Sequence, residues 1–204
     1  MNYFLVLTFF FNFLIIDKSY TSEKSDCHIL TEKIGKEFSL PHKLLTSISY
    51  VESGITKNNQ YVSWPWTLNV EGKSKYFDTK EEAIEFLSKN YSKRKNIDIG
   101  CMQISTKFHA KKFENLNQIL DPETNVKYAA GLLKELYKVH KTWNEAISRY
   151  HSSIPKRKKI YLNKVHSYWK KLRQQKTINK KIVKQKDKKR IEYFKKEFEK
   201  QILM

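Results

Sequence analysis

Beyond residue 26 the hydrophobic positions recur mostly at helical spacing. Ile29, Ile34 and Phe38 outline one apolar face, and Pro41 breaks the pattern before Leu44, Leu45, Ile48 and Val51 outline a second. Glu52 stands at the end of this second stretch, followed by Ser53 and by Gly54, the residue type that most easily ends a helix in a left-handed turn. Between Asn58 and Phe77 the helical period disappears. Tryptophans, Pro65, Thr67, Val70 and Gly72 read there as an irregular β-rich loop or hairpin. Helical order returns at Asp78-Thr79-Lys80-Glu81-Glu82, with Ala83, Ile84 and Leu87 inside. Asp121-Pro122-Glu123 places proline in a first helical turn, and Val126, Ala130, Leu133 and Tyr137 continue a buried stripe. Trp143, Ala146, Ile147 and Tyr150 form another, and Tyr161, Val165, Tyr168, Trp169 and Leu172 close the domain. No internal repeat is visible.

Position gives Glu52 its interest. A carboxyl group leaving a helix end against an apolar wall is disfavoured as an ion, so it stays protonated near neutral pH and can donate to a leaving oxygen. A single glutamate before Ser-Gly is common, however, and proves little alone. Four further stretches change the picture: Trp64-Pro65-Trp66-Thr67-Leu68-Asn69, Ile97-Asp98-Ile99-Gly100-Cys101-Met102-Gln103-Ile104, Asn125-Val126-Lys127-Tyr128-Ala129-Ala130-Gly131-Leu132-Leu133, and Trp143-Asn144-Glu145-Ala146-Ile147-Ser148-Arg149-Tyr150-His151-Ser152. In this order they resemble the catalytic domain of the soluble lytic transglycosylases, over roughly Cys27 to Tyr168.

The resemblance implies a goose-type lysozyme-like fold that cleaves the glycan of bacterial peptidoglycan, with Glu52 as the acid/base. It implies that Met102 and Gln103 line the cleft, Gln103 offering a donor and an acceptor to an N-acetyl group and Met102 packing beneath the sugar. It also implies that Tyr150 points its hydroxyl at the catalytic glutamate. The chain departs from the family in following this tyrosine with His151-Ser152 rather than Asn-Ala-Gly, and His151 reads instead as a helix-end hydrogen-bonding residue. Trp64 and Trp66 have broad faces that stack on sugars or fill a core. Ser53, Trp66, Asn69, Met102, Gln103 and Tyr150 are the expected substrate contacts.

Paired-carboxylate glycosidases need a second acid, and none stands out. Asp98 lies before a glycine, and Glu71 and Asp78 lie in polar loops without a defining motif. With one acid, Glu52 protonates the glycosidic oxygen, the substrate's own acetamido group supports the cation, and Glu52 then takes the proton of the 6-hydroxyl, leaving a 1,6-anhydro sugar.

A chain of 204 residues with 40% apolar content holds one sizeable core. Residues 1–20 read as a signal peptide or retained anchor, since the apolar run from Tyr3 to Ile16 is shorter than the roughly 20 residues a membrane span needs. The catalytic domain is expected over 21–173 and a basic helical extension over 174–204, where Ile191, Phe194, Phe198 and Ile202 give a weakly amphipathic pattern. Export to the periplasm or envelope allows Cys27 and Cys101, the only cysteines, to form one disulfide, the alternative being two buried thiols. The histidines and cysteines have no metal-ligand spacing, so no metal or cofactor is expected.

From Lys156 onward 19 Lys and Arg face 4 Asp and Glu, which places +15 of the chain's formal +19 in this segment. Its natural partners are anionic membrane or wall polymers, with nucleic acid disfavoured, and the plain alternative is a solvated lysine-rich extension. The sequence therefore predicts a mainly α, lysozyme-like α+β protein: a helical bundle around a glycan cleft with a small irregular β/loop lobe. The expected function is a lytic transglycosylase cutting the β-1,4 bond between N-acetylmuramic acid and N-acetylglucosamine. The alternatives are a hydrolytic muramidase and a non-catalytic glycan-binding or assembly component of an envelope-spanning secretion or conjugation machine.

Overall fold

The computed structural model describes residues 26–93 and 96–202, without the side chains of 175–183 and 193–202. The expected leader, and the side chains of Phe194, Phe198 and Ile202, lie outside the described residues.

Helix α1 (Cys27–Glu37) starts where the Asp26 carboxylate accepts the backbone N–H groups of His28 and Ile29 at 2.7 and 3.2 Å. Its inner face is Cys27, Leu30, Thr31 and Ile34, at the i, i+3, i+4, i+7 positions of a helix. This corrects the stripe read from the sequence. Ile29 is 39% exposed, because five residues of helical rotation carry it well off the face held by Ile34.

Helix α2 (Leu44–Ser53) is buried almost all round. Beside Leu44, Leu45 and Ile48 it buries Thr46, Ser47 and Ser49, hydroxyl residues that water would otherwise satisfy. Ser47 bonds to the Lys43 carbonyl at 2.6 Å, and Ser49 bonds to the Thr46 carbonyl and to Ser63 Oγ. Among the described residues no buried side-chain N or O lacks a partner.

The β lobe follows directly. Strands β1 (Gly54–Lys57) and β2 (Gln60–Ser63) form a hairpin whose two turn residues, Asn58 and Asn59, both have positive φ, the geometry asparagine accepts better than most side chains. Strands β3 (Thr67–Val70) and β4 (Lys73–Tyr76) form a second hairpin, joined by β5 (Ile97–Ile99) and β6 (Ile104–Ser105) in an antiparallel sheet of order β4-β3-β5-β6. Leu68, Val70, Ile97, Ile99 and Ile104 turn one face of this sheet into the core. Between β4 and β5 lies α3 (Lys80–Tyr91), capped by Thr79 and contributing Ala83 and Leu87 to the core.

After β6 come α4 (Thr106–His109), α5 (Leu116–Leu120), α6 (Pro122–His140), α7 (Trp143–His151) and α8 (Pro155–Ile202). As expected, Pro122 opens α6, with Asp121 as its cap. Helix α2 packs against α1 and α8, and α6 against α1 and α7. The fold is therefore mainly helical with a small antiparallel lobe, as the sequence predicted. Tyr161, Val165 and Leu172 of α8 close the core, and the helix then runs on without a break to Ile202. The described side chains of residues 184–192 are all exposed, and among the described residues no helix is long and apolar enough to cross a membrane.

Candidate active site

Glu52 is the penultimate residue of α2, where the helix passes into β1. Two features fix its exit from the core. Ser53 is fully buried and donates its hydroxyl to the Cys101 carbonyl at 2.8 Å, with the Ser49 carbonyl 3.2 Å away. The second feature is Gly54, which is not the left-handed helix cap read from the sequence: its φ of −69° and ψ of 130° are extended. Space requires glycine here, because a Cβ would lie 2.2 Å from the Tyr61 hydroxyl and 2.3 Å from the Tyr50 carbonyl.

Opposite α2, the Gly100–Gln103 turn is built by internal bonds. Asn125, fully buried on α6, donates to the carbonyls of Ile99 and Ile119 and accepts the N–H of Met102. Gly100 has φ +80°, and a Cβ there would come within 2.8 Å of the Asn125 amide, so both backbone conformation and space demand glycine. The disulfide between Cys27 and Cys101 ties this turn to the start of α1.

The Glu52 carboxylate receives a 2.5 Å hydrogen bond from the Tyr161 hydroxyl of α8. Burial is the largest influence on Glu52 and pushes its pKa up to about 7, helped by the Asp98 charge and opposed by the Tyr161 hydrogen bond and by Lys164. An acid that titrates near neutrality can both give and take a proton at working pH. Tyr150 and Tyr161 are driven well above the ordinary phenol range, first by burial and then by the Glu52 charge, so both remain donors.

The tyrosine expected to point at Glu52 was Tyr150. Its hydroxyl instead donates to the Met102 carbonyl at 2.7 Å, and Tyr161 makes the bond to the acid. Tyr161 is 4% exposed, and its spacing with Val165 and Leu172 marked it as core. Nothing in helical periodicity indicates where a buried hydroxyl points. His151, expected to bond at a helix end, stacks its ring on Tyr161, with centroids 4.5 Å apart and planes within 5°.

The other expected contacts divide. Met102 is wholly buried, so its side chain packs in the core and its carbonyl faces Tyr150. Gln103, with φ +47°, donates its side-chain amide to the carbonyls of Thr67 and Gly100. Trp66 is half-buried against the core. Asn69 accepts the Gly72 N–H at 2.8 Å and stabilises the β3–β4 turn. Ser53, Met102, Gln103 and Tyr150 thus converge on the Gly100–Gln103 turn beside Glu52, whereas Trp66 and Asn69 belong to the β lobe.

Asp98 carries no defining motif in the sequence. Its neighbours Ile97 and Ile99 enter the core, so strand alternation puts Asp98 on the opposite face, in register with Asn69 of β3 and Ser105 of β6. Burial raises its pKa against hydrogen bonds from Ser105 and Asn96, and its charge reaches both Glu52 and Tyr150. Among the described residues no group of His, Cys, Asp and Glu side chains could hold a metal ion.

Neither a curated protein nor a solved structure matches the chain. A family match does, covering residues 29–172 and so Glu52, Asp98, the Gly100–Gln103 turn, Tyr150 and Tyr161. The chain therefore belongs to the transglycosylase SLT domain family, whose members act on peptidoglycan as lytic transglycosylases.

Proposed function

We propose that this protein cleaves peptidoglycan strands at the β-1,4 bond between N-acetylmuramic acid and N-acetylglucosamine, with Glu52 as the single acid and base. The observation that carries this reading is the Glu52 carboxyl at the end of α2, bonded to Tyr161 and titrating at about 7. Protonated Glu52 gives its proton to the glycosidic oxygen as the C1–O bond breaks. The acetamido group of the same muramyl residue supports the developing cation at C1. The Glu52 carboxylate then removes the proton from the 6-hydroxyl, whose oxygen closes on C1 to leave a 1,6-anhydro end and a reprotonated Glu52. Tyr161 stabilises the carboxylate between the two proton transfers.

A second reading, hydrolysis, is favoured by Asp98. A carboxylate beside the acid could orient water towards C1, as in paired-carboxylate glycosidases. The site is proposed to work outside the cytoplasm, in the periplasm or envelope, where its substrate lies and where an oxidising compartment keeps Cys27 joined to Cys101. The basic extension of α8 is proposed to hold the enzyme to anionic wall or membrane. Deleting residues 176–204 should then weaken retention on intact envelope, and the difference should shrink as salt rises.

Glu52→Gln tests the assignment. The amide keeps the shape but cannot act as an acid, so turnover of purified peptidoglycan should fall at least about 100-fold. Near wild-type cleavage by the folded variant would refute the role of Glu52, and a wild-type protein that binds strands without cutting them would identify a glycan-binding module.

A further inference from the structure

Arg157, Tyr161 and Lys164 lie at i, i+4 and i+7 on α8 and so share one face of the helix. Tyr161 points inward to Glu52, while Arg157 and Lys164 remain exposed on either side of it. His151 stacks on Tyr161 from the end of α7. Lys164 is within electrostatic reach of both Glu52 and His151, and Arg157 within reach of His151. Two nearby cations are engaged elsewhere: Lys158 and Arg149 share the Glu145 carboxylate, at 2.6 and 2.8 Å. Arg157 and Lys164 have no salt bridge among the described residues. The site is thus polarised, with Asp98 on its sheet side and two exposed cations, Arg157 and Lys164, on its helix side, where burial and those two charges lower the pKa of His151 and keep its ring neutral.

A neutral sugar chain offers these cations acceptor oxygens but no opposite charge. The ionised groups of peptidoglycan hang from the 3-position of muramic acid, as the carboxylates of the stem peptide or, where the stem has been removed, of the lactyl group. We propose that Arg157 and Lys164, flanking the His151–Tyr161 stack, form a subsite for a carboxylate carried by the muramyl 3-substituent, so that the enzyme selects charged strands over neutralised ones. This subsite rests on the proposed action on peptidoglycan strands and specifies which part of the muramyl residue faces α8.

The test compares three substrates: stem-bearing strands, the same strands with their carboxylates amidated, and amidase-stripped strands that retain the lactyl carboxylate. Wild type should prefer stem-bearing to amidated strands in kcat/KM by about threefold to tenfold at low salt, as two exposed ion pairs would supply. The Arg157→Ala/Lys164→Ala double variant should lose that ratio, and the charge-preserving Arg157→Lys/Lys164→Arg variant should keep it. A ratio between substrates cancels any shared effect on Glu52. Stripped strands that match stem-bearing ones would assign the contact to the lactyl carboxylate, and stripped strands that match amidated ones would assign it to the stem. A wild-type ratio near one, or a ratio unchanged in the double variant, overturns the subsite. Sedimentation of Glu52→Gln protein with the same strands separates the two claims: a charge preference in binding without any wild-type cleavage would defeat the cleavage reading and leave the subsite standing.

Discussion

Replacing Glu52 by glutamine should make the protein more stable while making it inactive, and the gain should depend on pH. Glu52 titrates at about 7 in the folded chain against 4.5 ordinarily, so the folded state holds the proton more tightly than the unfolded state. The stability associated with that proton is fully present below about pH 4.5 and is lost as pH rises through about 7. At about 1.4 kcal/mol per tenfold, the whole step is worth about 3 kcal/mol, or about 2–3 kcal/mol allowing for the partial exposure of the residue. Glutamine does not ionise and still accepts from Tyr161 through its amide oxygen. Urea unfolding at pH 4.5 and pH 8 should therefore give nearly equal stabilities for the two proteins at the lower pH, and an advantage of about 2–3 kcal/mol for the variant at the higher one. Equal stabilities at both pH values would mean that burial does not strain the Glu52 charge, and the physical basis for a neutral-pH acid would be lost.

Tyr161→Phe removes the donor that stabilises ionised Glu52, so the fall of kcat/KM on the alkaline side, expected near pH 7, should move to higher pH; a limb that stays in place or moves down would contradict the hydrogen-bond assignment. Gly54→Ala should cost about 1–3 kcal/mol and reduce activity, because the new methyl must displace Tyr61 or the Tyr50 carbonyl; a variant as stable as wild type by urea titration would show that the site relaxes freely. Reduction of the Cys27–Cys101 bridge should lower stability by about 2–5 kcal/mol, and peptide mapping without reductant should recover the two peptides joined; two freely alkylated thiols in exported protein would remove the claim.

The helical scaffold and the place of Glu52 were legible because they depend on patterns the chain displays: apolar spacing, the Asp121-Pro122 start, and the ordered motifs. What escaped depends on where a polar atom ends up after packing. Tyr161 was visible as a buried position, but its partner lies 109 residues away, and no periodicity encodes that contact. Asp98 gained significance only through sheet register, which sets it beside Asn69 and Ser105. Gly54 reads from the sequence as a left-handed helix end, whereas the structure selects it for steric room, since both demands point to the same residue. Ile29 shows how three apolar residues can suggest a face that the more closely spaced Cys27, Leu30, Thr31 and Ile34 occupy instead.

The identity of the new chain end tests the single-acid mechanism most directly. Peptidoglycan digested in oxygen-18 water should yield muropeptides ending in 1,6-anhydro-N-acetylmuramic acid, lighter by one water than hydrolysed ends, unlabelled, and resistant to borohydride reduction. Oxygen-18-labelled, reducible muramic acid ends as the main product would contradict it and establish hydrolysis, with Asp98 as the first residue to replace.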